Sequence, residues 1–292
     1  VCMRYYTNVQ MVGNDFLVRG YEDGKSFTTR EKYNPTLFVP SKKRTKYKTL
    51  DGKYVQSVKP GSVRDCREFY RTHGEVKGFE IFGNNRYIYQ YISDKYPEKE
   101  ITFDINKIKL VTIDIEVKSE KGFPTVQACD EEMLCITLQD YATKRILTFG
   151  VGPYHHNDPM VKYVQCNDEY DMLQHFITYW SANPPEVVTG WNCQLYDIAY
   201  LAKRITRVLG EKSCKKLSPW GLVTNEEIYL QGRAHTVYDI GGVTVLDYLD
   251  LYRKFTYKAQ ESYKLDYIGE VELGQKKLDH SEFDTFKDFY TK

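Results

Sequence analysis

Leu110-Val111-Thr112-Ile113-Asp114-Ile115-Glu116-Val117 is the stretch on which the fold turns. It is a short apolar and β-branched run, broken only by two carboxylates two positions apart, and it reads as a buried strand. Strand side chains alternate, so Asp114 and Glu116 share one face while Ile113, Ile115 and Val117 share the other. Two like charges this close, on a strand otherwise built for burial, repel each other and resist desolvation. A divalent cation such as Mg²⁺ or Mn²⁺ relieves both penalties, and a pair of such ions supports phosphoryl transfer. A sheet rim with two solvated acids fits the stretch taken alone equally well.

Working outward, Met133–Gln139 and Lys144–Gly150 read as two strands of a meander, and Val161–Cys166 as another strand. Asp168 is placed to cap a helix that carries Met172, Leu173, Phe176, Ile177 and Trp180 on one face and stops at Pro184-Pro185. Val187–Thr189 is a short buried strand, Gly190-Trp191-Asn192 a turn, and a helix with Ile198, Leu201, Ile205 and Val208 on one face runs to about Gly210. Asp197 therefore falls in the first turn of a helix beyond the carboxyl end of a strand, a common position for a ligand in an α/β sheet. An acid there is also favoured by the helix dipole alone, and Asn192 is equally a turn or cap residue. His155-His156 lies in a loop without further ligands and reads as a surface pair.

Residues upstream read differently. Met3–Met11, Phe16–Tyr21, Ser26–Lys32 and Thr36–Val39 are strands, with Asp23-Gly24 a hairpin signal, and Asp51-Gly52 precedes another strand at Tyr54–Val58. Ser62 and Asp65 form a capping box for a helix ending near Gly74, and Val76–Tyr91 reads as strand material broken at Gly83-Asn84-Asn85. Residues 41–48 hold five basic side chains and read as a solvated loop. Pro97 and the charged Glu98-Lys99-Glu100 read as a surface connection, and the domain boundary is placed near residue 107.

The 292 residues suffice for two domains with a sizeable core, and 41% hydrophobic with 28% charged residues is ordinary for a soluble protein. No segment has the apolar length to span a membrane or the pattern of a signal peptide. The seven cysteines form no Cys-x-x-Cys pair and read as reduced thiols of an intracellular protein. The net charge of +1 hides an asymmetry: residues 1–107 carry 20 Lys and Arg against 13 Asp and Glu, residues 108–292 carry 21 against 27. A basic part beside an acidic one suits a nucleic-acid protein whose catalytic half concentrates carboxylates, and single-stranded nucleic acid is the expected partner of the basic part.

Thr112-Ile113-Asp114-Ile115-Glu116 resembles the first exonuclease motif of family B DNA polymerases. Thr189-Gly190-Trp191-Asn192, followed by Tyr196-Asp197-Ile198, resembles the second. Val245-Leu246-Asp247-Tyr248, Ser262-Tyr263-Lys264-Leu265-Asp266-Tyr267-Ile268 and Tyr33-Asn34-Pro35-Thr36-Leu37-Phe38 add to the likeness, which covers essentially the whole chain and is of the T-even-like bacteriophage type.

The resemblance implies an α/β (α+β) fold. A smaller β-rich N-terminal domain (1–107) would precede an RNase H-like mixed-sheet 3′→5′ exonuclease domain (108–292). It implies that Asp114, Glu116 and Asp197 bind two Mg²⁺ or Mn²⁺ ions and are catalytic in removing mispaired 3′ nucleotides during DNA replication. Phe123 and Asn192 would contact the 3′-terminal nucleotides, and Glu227–Leu246, with its Gln231-Gly232-Arg233 turn, is similar to the family's DNA-contacting β-hairpin. The implied partners are a single-stranded DNA 3′ end, primer-template, and a polymerase domain supplied in cis or as a second chain. The implied location is the cytoplasm, that of a host cell if the protein is viral. The family's third motif, a Tyr-x-x-x-Asp that adds a further acid, does not occur after Asp266. The chain is thus expected to be truncated before that motif and weakly active or inactive alone. The alternative is a catalytically incomplete nucleic-acid-binding or assembly module completed by a partner chain.

Overall fold

A computed structural model describes residues 4–97, 101–119, 122–230 and 232–276. The chain divides into two compact units, residues 1–105 and 106–292. The charged run at residues 98–100 lies outside the described residues.

The first unit is β-rich. Strands β1 (Arg4–Val12), β2 (Asp15–Glu22) and β3 (Lys25–Lys32) form an antiparallel meander. The turn between β2 and β3 places Asp23 and Gly24 at φ of 49° and 76°, the left-handed pair that matches the twist of a tight hairpin. Strands β4 (Leu37–Pro40), β5 (Tyr47–Lys48) and β6 (Tyr54–Val58) form a second sheet in the order β4-β6-β5. Helix α1 (Val63–His73) opens on the Ser62/Asp65 capping box expected from sequence.

The strand expected over the last part of Val76–Tyr91 is instead helix α2 (Tyr87–Lys95), preceded only by an isolated bridge between Phe38 and Phe82. Its aromatic and β-branched composition suits a strand, but burial decides the matter. Tyr87 and Tyr91, four residues apart, are both buried, and the Tyr91 ring stacks on Phe16 at 4.8 Å. Gln90, on the same helix, uses its amide as a strand would use its backbone: Oε1 accepts from Thr36 N and Nε2 donates to Thr36 O, both at 2.8 Å.

The second unit is built on a six-stranded mixed sheet in the order β10-β9-β8-β7-β11-β14. Its strands are β7 (Leu110–Val117), β8 (Met133–Asp140), β9 (Ile146–Val151), β10 (Val161–Cys166), β11 (Val187–Gly190) and β14 (Thr244–Asp247). The Leu110–Val117 strand is central, as its apolar run requires. It runs antiparallel to β8 and parallel to β11. Ile113, Ile115 and Val117 are buried in the core, joined by Met172, Leu173, Phe176, Ile177 and Trp180 of α3 (Glu169–Ala182) and by Ile198, Leu201 and Ile205 of α4 (Asp197–Leu209). Short α5 (Glu211–Cys214) leads to an antiparallel hairpin, β12 (Val223–Leu230) and β13 (Arg233–Ile240), and α6 (Tyr248–Phe255) and α7 (Leu265–Leu273) follow β14. No helix among the described residues is long and apolar enough to cross a membrane.

Candidate nuclease site

Strands β7 and β11 pair in register only from Leu110/Val187 to Thr112/Thr189 and then part. Parallel strands that diverge at their carboxyl ends open a crevice, the usual ligand position in such sheets. The parting leaves the Ile115 N–H without a partner on β11. Asp197, the first residue of α4, supplies one: its Oδ1 accepts from Ile115 N at 3.1 Å. The second-motif acid is thereby bonded to the residue that separates Asp114 from Glu116.

Gly190 is what allows β11 to turn here. A Cβ at this position would lie 2.7 Å from Ile113 O on β7 and 2.8 Å from the Cys193 Cβ, and a backbone carbonyl in a central strand cannot yield. Gly190→Ala is expected to lower the stability of the unit by about 1–3 kcal/mol, measured by urea unfolding. An unchanged midpoint would show that the turn has room to relax.

The electrostatics follow from burial. Asp197 is 6% exposed. Its carboxyl pKa is pushed up to about 8, first by desolvation and next by the charge of Asp114. The Tyr196 hydroxyl is pushed up as well, mainly by burial and then by the charges of Asp197 and Glu116. The three acids thus share one electrostatic neighbourhood. Among the described residues, however, no group of three or more His, Cys, Asp or Glu side chains is gathered so as to hold a metal ion. The donor chemistry suits a hard cation: oxygen ligands, with a carboxyl raised first by burial and then by the like charge of Asp114, which a cation would offset.

Phe123, expected to contact the 3′-terminal nucleotides, is free to do so. Its ring is 78% exposed, so it is not core, and it lies 5.2 Å from the Tyr196 ring. Phe123, Asn192 and Arg233 line one cleft of about 470 Å³, with Tyr196 and His235. Gly232 occupies the hairpin turn at φ 77°, and Gln231 lies outside the described residues. Asp114 borders a different, wider groove of about 850 Å³ whose lining includes Thr189, Leu246, Tyr252 and Leu265.

Asp247 carries a role that sequence reasoning missed. Its Oδ1 accepts from Asn192 N and Leu249 N, both at 2.9 Å, and its Oδ2 accepts from Gln194 N at 3.0 Å. One buried carboxylate thus caps α6 and holds the Asn192 turn, where Asn192 sits at φ 61°. An aspartate directly before a helix was the available signal for the cap. Nothing local announced that the same side chain reaches a turn 53 and 55 residues away.

The family described as DNA polymerase family B, exonuclease domain, matches residues 81–268. The chain is 31% identical to the DNA-directed DNA polymerase of Enterobacteria phage T4 and 30% identical to that of Escherichia phage RB69. Each alignment covers 94% of this chain and 33% of the relative, so the chain spans about one third of the length of these polymerases. It is also 27% identical, over 59% of its length, to the DNA polymerase catalytic subunit of Psittacid herpesvirus 1, of which it covers 17%. The chain that brings Asp197 to the strand between Asp114 and Glu116 belongs to the family B DNA polymerases, through their exonuclease domain.

Proposed function

We propose that this chain is the N-terminal and proofreading portion of a replicative DNA polymerase, acting in the cytoplasm of a host cell to remove mispaired 3′ nucleotides. The hydrogen bond from Ile115 N to Asp197 is the observation that carries the reading, because it seats the second-motif acid at the strand of the first. Asp114, Glu116 and Asp197 are the residues that would hold Mg²⁺ or Mn²⁺. When bound, such ions activate water and stabilise charge on the phosphoryl group under attack. The side chains of the 470 Å³ cleft do the rest: Phe123 and Tyr196 offer aromatic faces to the terminal base, and Arg233 offers charge to the phosphate. Asn192, held by Asp247 in a left-handed turn, presents its amide to the same nucleotide.

A binding or assembly module completed by another chain remains the second reading. It is favoured by the absence, among the described residues, of a gathered group of three acids. A 5′-labelled oligonucleotide with Mg²⁺ or Mn²⁺ tests the site assignment that both readings share. The 292-residue chain is expected to shorten it from the 3′ end at least a hundredfold more slowly than a longer polymerase chain carrying the third-motif acid. Positioning and charge stabilisation supply nearly all of the rate in phosphoryl transfer, so a chain with one acid fewer at the site cuts far more slowly. Asp114→Ala in the longer chain should abolish cleavage. Equal rates for the two chains, or a fully active Asp114→Ala, would overturn the site assignment.

A further inference from the structure

We propose that Gln127 is a positioning residue that sets the spacing between the two walls of the nucleotide cleft, and through it the hold on a single-stranded 3′ end. This rests on the function proposed above. One wall is the segment that follows β7 and carries Phe123; the other is β13, from Arg233 to Thr236. Gln127 joins them: its Nε2 donates to Ala234 O at 2.9 Å, across 107 residues of sequence.

The backbone behind that side chain is anchored to α4. Lys203 Nζ donates to Gln127 O at 2.6 Å. Arg207 Nη1 donates to Ala128 O at 3.3 Å and to Cys129 O at 2.8 Å, and Arg204 Nη1 donates to Cys129 O at 3.0 Å. Three successive carbonyls are therefore gripped by basic side chains of one helix. Cys129, fully buried, is held at φ 47°, a conformation a non-glycine residue keeps only when its surroundings enforce it. The helix doing the gripping is the one that begins with Asp197.

The other end of the bond is a two-stranded ribbon. Such a ribbon is marginal by itself, so its position depends on ties to the rest of the unit. Gln127 ties Ala234 to a segment that α4 already fixes relative to Asp197. A cleft whose walls are held at one spacing spares a bound nucleotide the cost of ordering them.

Gln127→Ala and Gln127→Glu in the 292-residue chain test this. In the free protein, amide hydrogen exchange of residues 226–236 should speed up by roughly three- to tenfold in Gln127→Ala, the equivalent of one hydrogen bond. Exchange in β7 and β8 should not change, and neither should the melting temperature. The dissociation constant for a fluorescein-labelled oligothymidylate, measured in chelator so that it is not cut, should rise by a similar factor. Gln127→Glu, which sets a charged acceptor against a carbonyl, should weaken binding further at pH 8. Unchanged hairpin exchange would overturn the inference. So would faster exchange with unchanged binding, or a loss of stability throughout the unit. Failure of the parent chain to bind the oligonucleotide would instead count against the proposed function, and hairpin exchange alone would then decide the role of Gln127.

Discussion

Asp197→Asn, melted in chelator at pH 7, is expected to unfold on the order of 10 °C above the parent chain. The substitution keeps the Oδ1 acceptor for Ile115 N and replaces a buried carboxyl, which must take up a proton to fold beside Asp114 at pH 7, with an amide that is neutral in both states. The direction follows from linkage. Burial and the charge of Asp114 push the folded carboxyl up to about 8, from an ordinary value of 3.8. Between those values unfolding releases a proton, so the stability contributed by this group is greatest below pH 3.8. It falls by about 1.4 kcal/mol per pH unit as pH rises toward 8. At pH 7 the accumulated cost is on the order of 4 kcal/mol, which the asparagine avoids. A plot of stability against pH should therefore be flatter in the variant over this window. Mn²⁺ should stabilise the parent chain and leave Asp197→Asn nearly unaffected, since anything that binds only the folded state adds to its stability. In the longer polymerase chain the same substitution should abolish 3′→5′ cleavage. A variant that melts at or below the parent temperature would show that the 197 carboxylate is not a source of strain.

The second large effect is structural. Glu169 opens α3, and Arg204 lies on the buried face of α4, next to Ile205. The two form a bidentate pair, with Arg204 Nε donating to Glu169 Oε1 at 2.6 Å and Nη2 donating to Oε2 at 2.7 Å. Glu169 Oε1 also accepts from Met133 N at 2.9 Å. Both side chains are more than nine-tenths buried. Glu169→Leu strands a guanidinium with only backbone carbonyls for partners and should cost about 3–5 kcal/mol by urea unfolding at pH 7. The double variant Glu169→Leu, Arg204→Met should recover part of that loss, because it is the uncompensated charge rather than the missing pair that is expensive. If the single variant unfolds like the parent, water or another partner satisfies Arg204. Because Arg204 also bonds Cys129 O, the single variant should loosen the segment that carries Gln127 and speed hairpin exchange as well.

Several elements were legible from the chain alone because their signals are local. The period-two alternation of residues 110–117 fixes which residues face the core, and the acids at 114 and 116 had to fall on the other side. Met172, Leu173, Phe176, Ile177 and Trp180 are all buried as their helical spacing demands. Ser62 and Asp65 form the capping box that their spacing suggests. Side-chain identity and short-range geometry determine features of this kind, and so they survive any reasonable tertiary arrangement.

Tertiary structure decided the rest. Residues 87–95 became a helix because Tyr87 and Tyr91 gain more from burial on one face, against Phe16, than their strand preference is worth. The crevice exists because β7 and β11 stop pairing after Thr112 and Thr189, a register that neither strand contains by itself. The bonds that define the site join residues far apart in the chain: Ile115 with Asp197 across 82 positions, Asn192 with Asp247 across 55, and Gln127 with Ala234 across 107. A sequence names the donors and acceptors of such bonds, but which of them meet depends on the packing of the whole sheet and its helices, and no local periodicity encodes that.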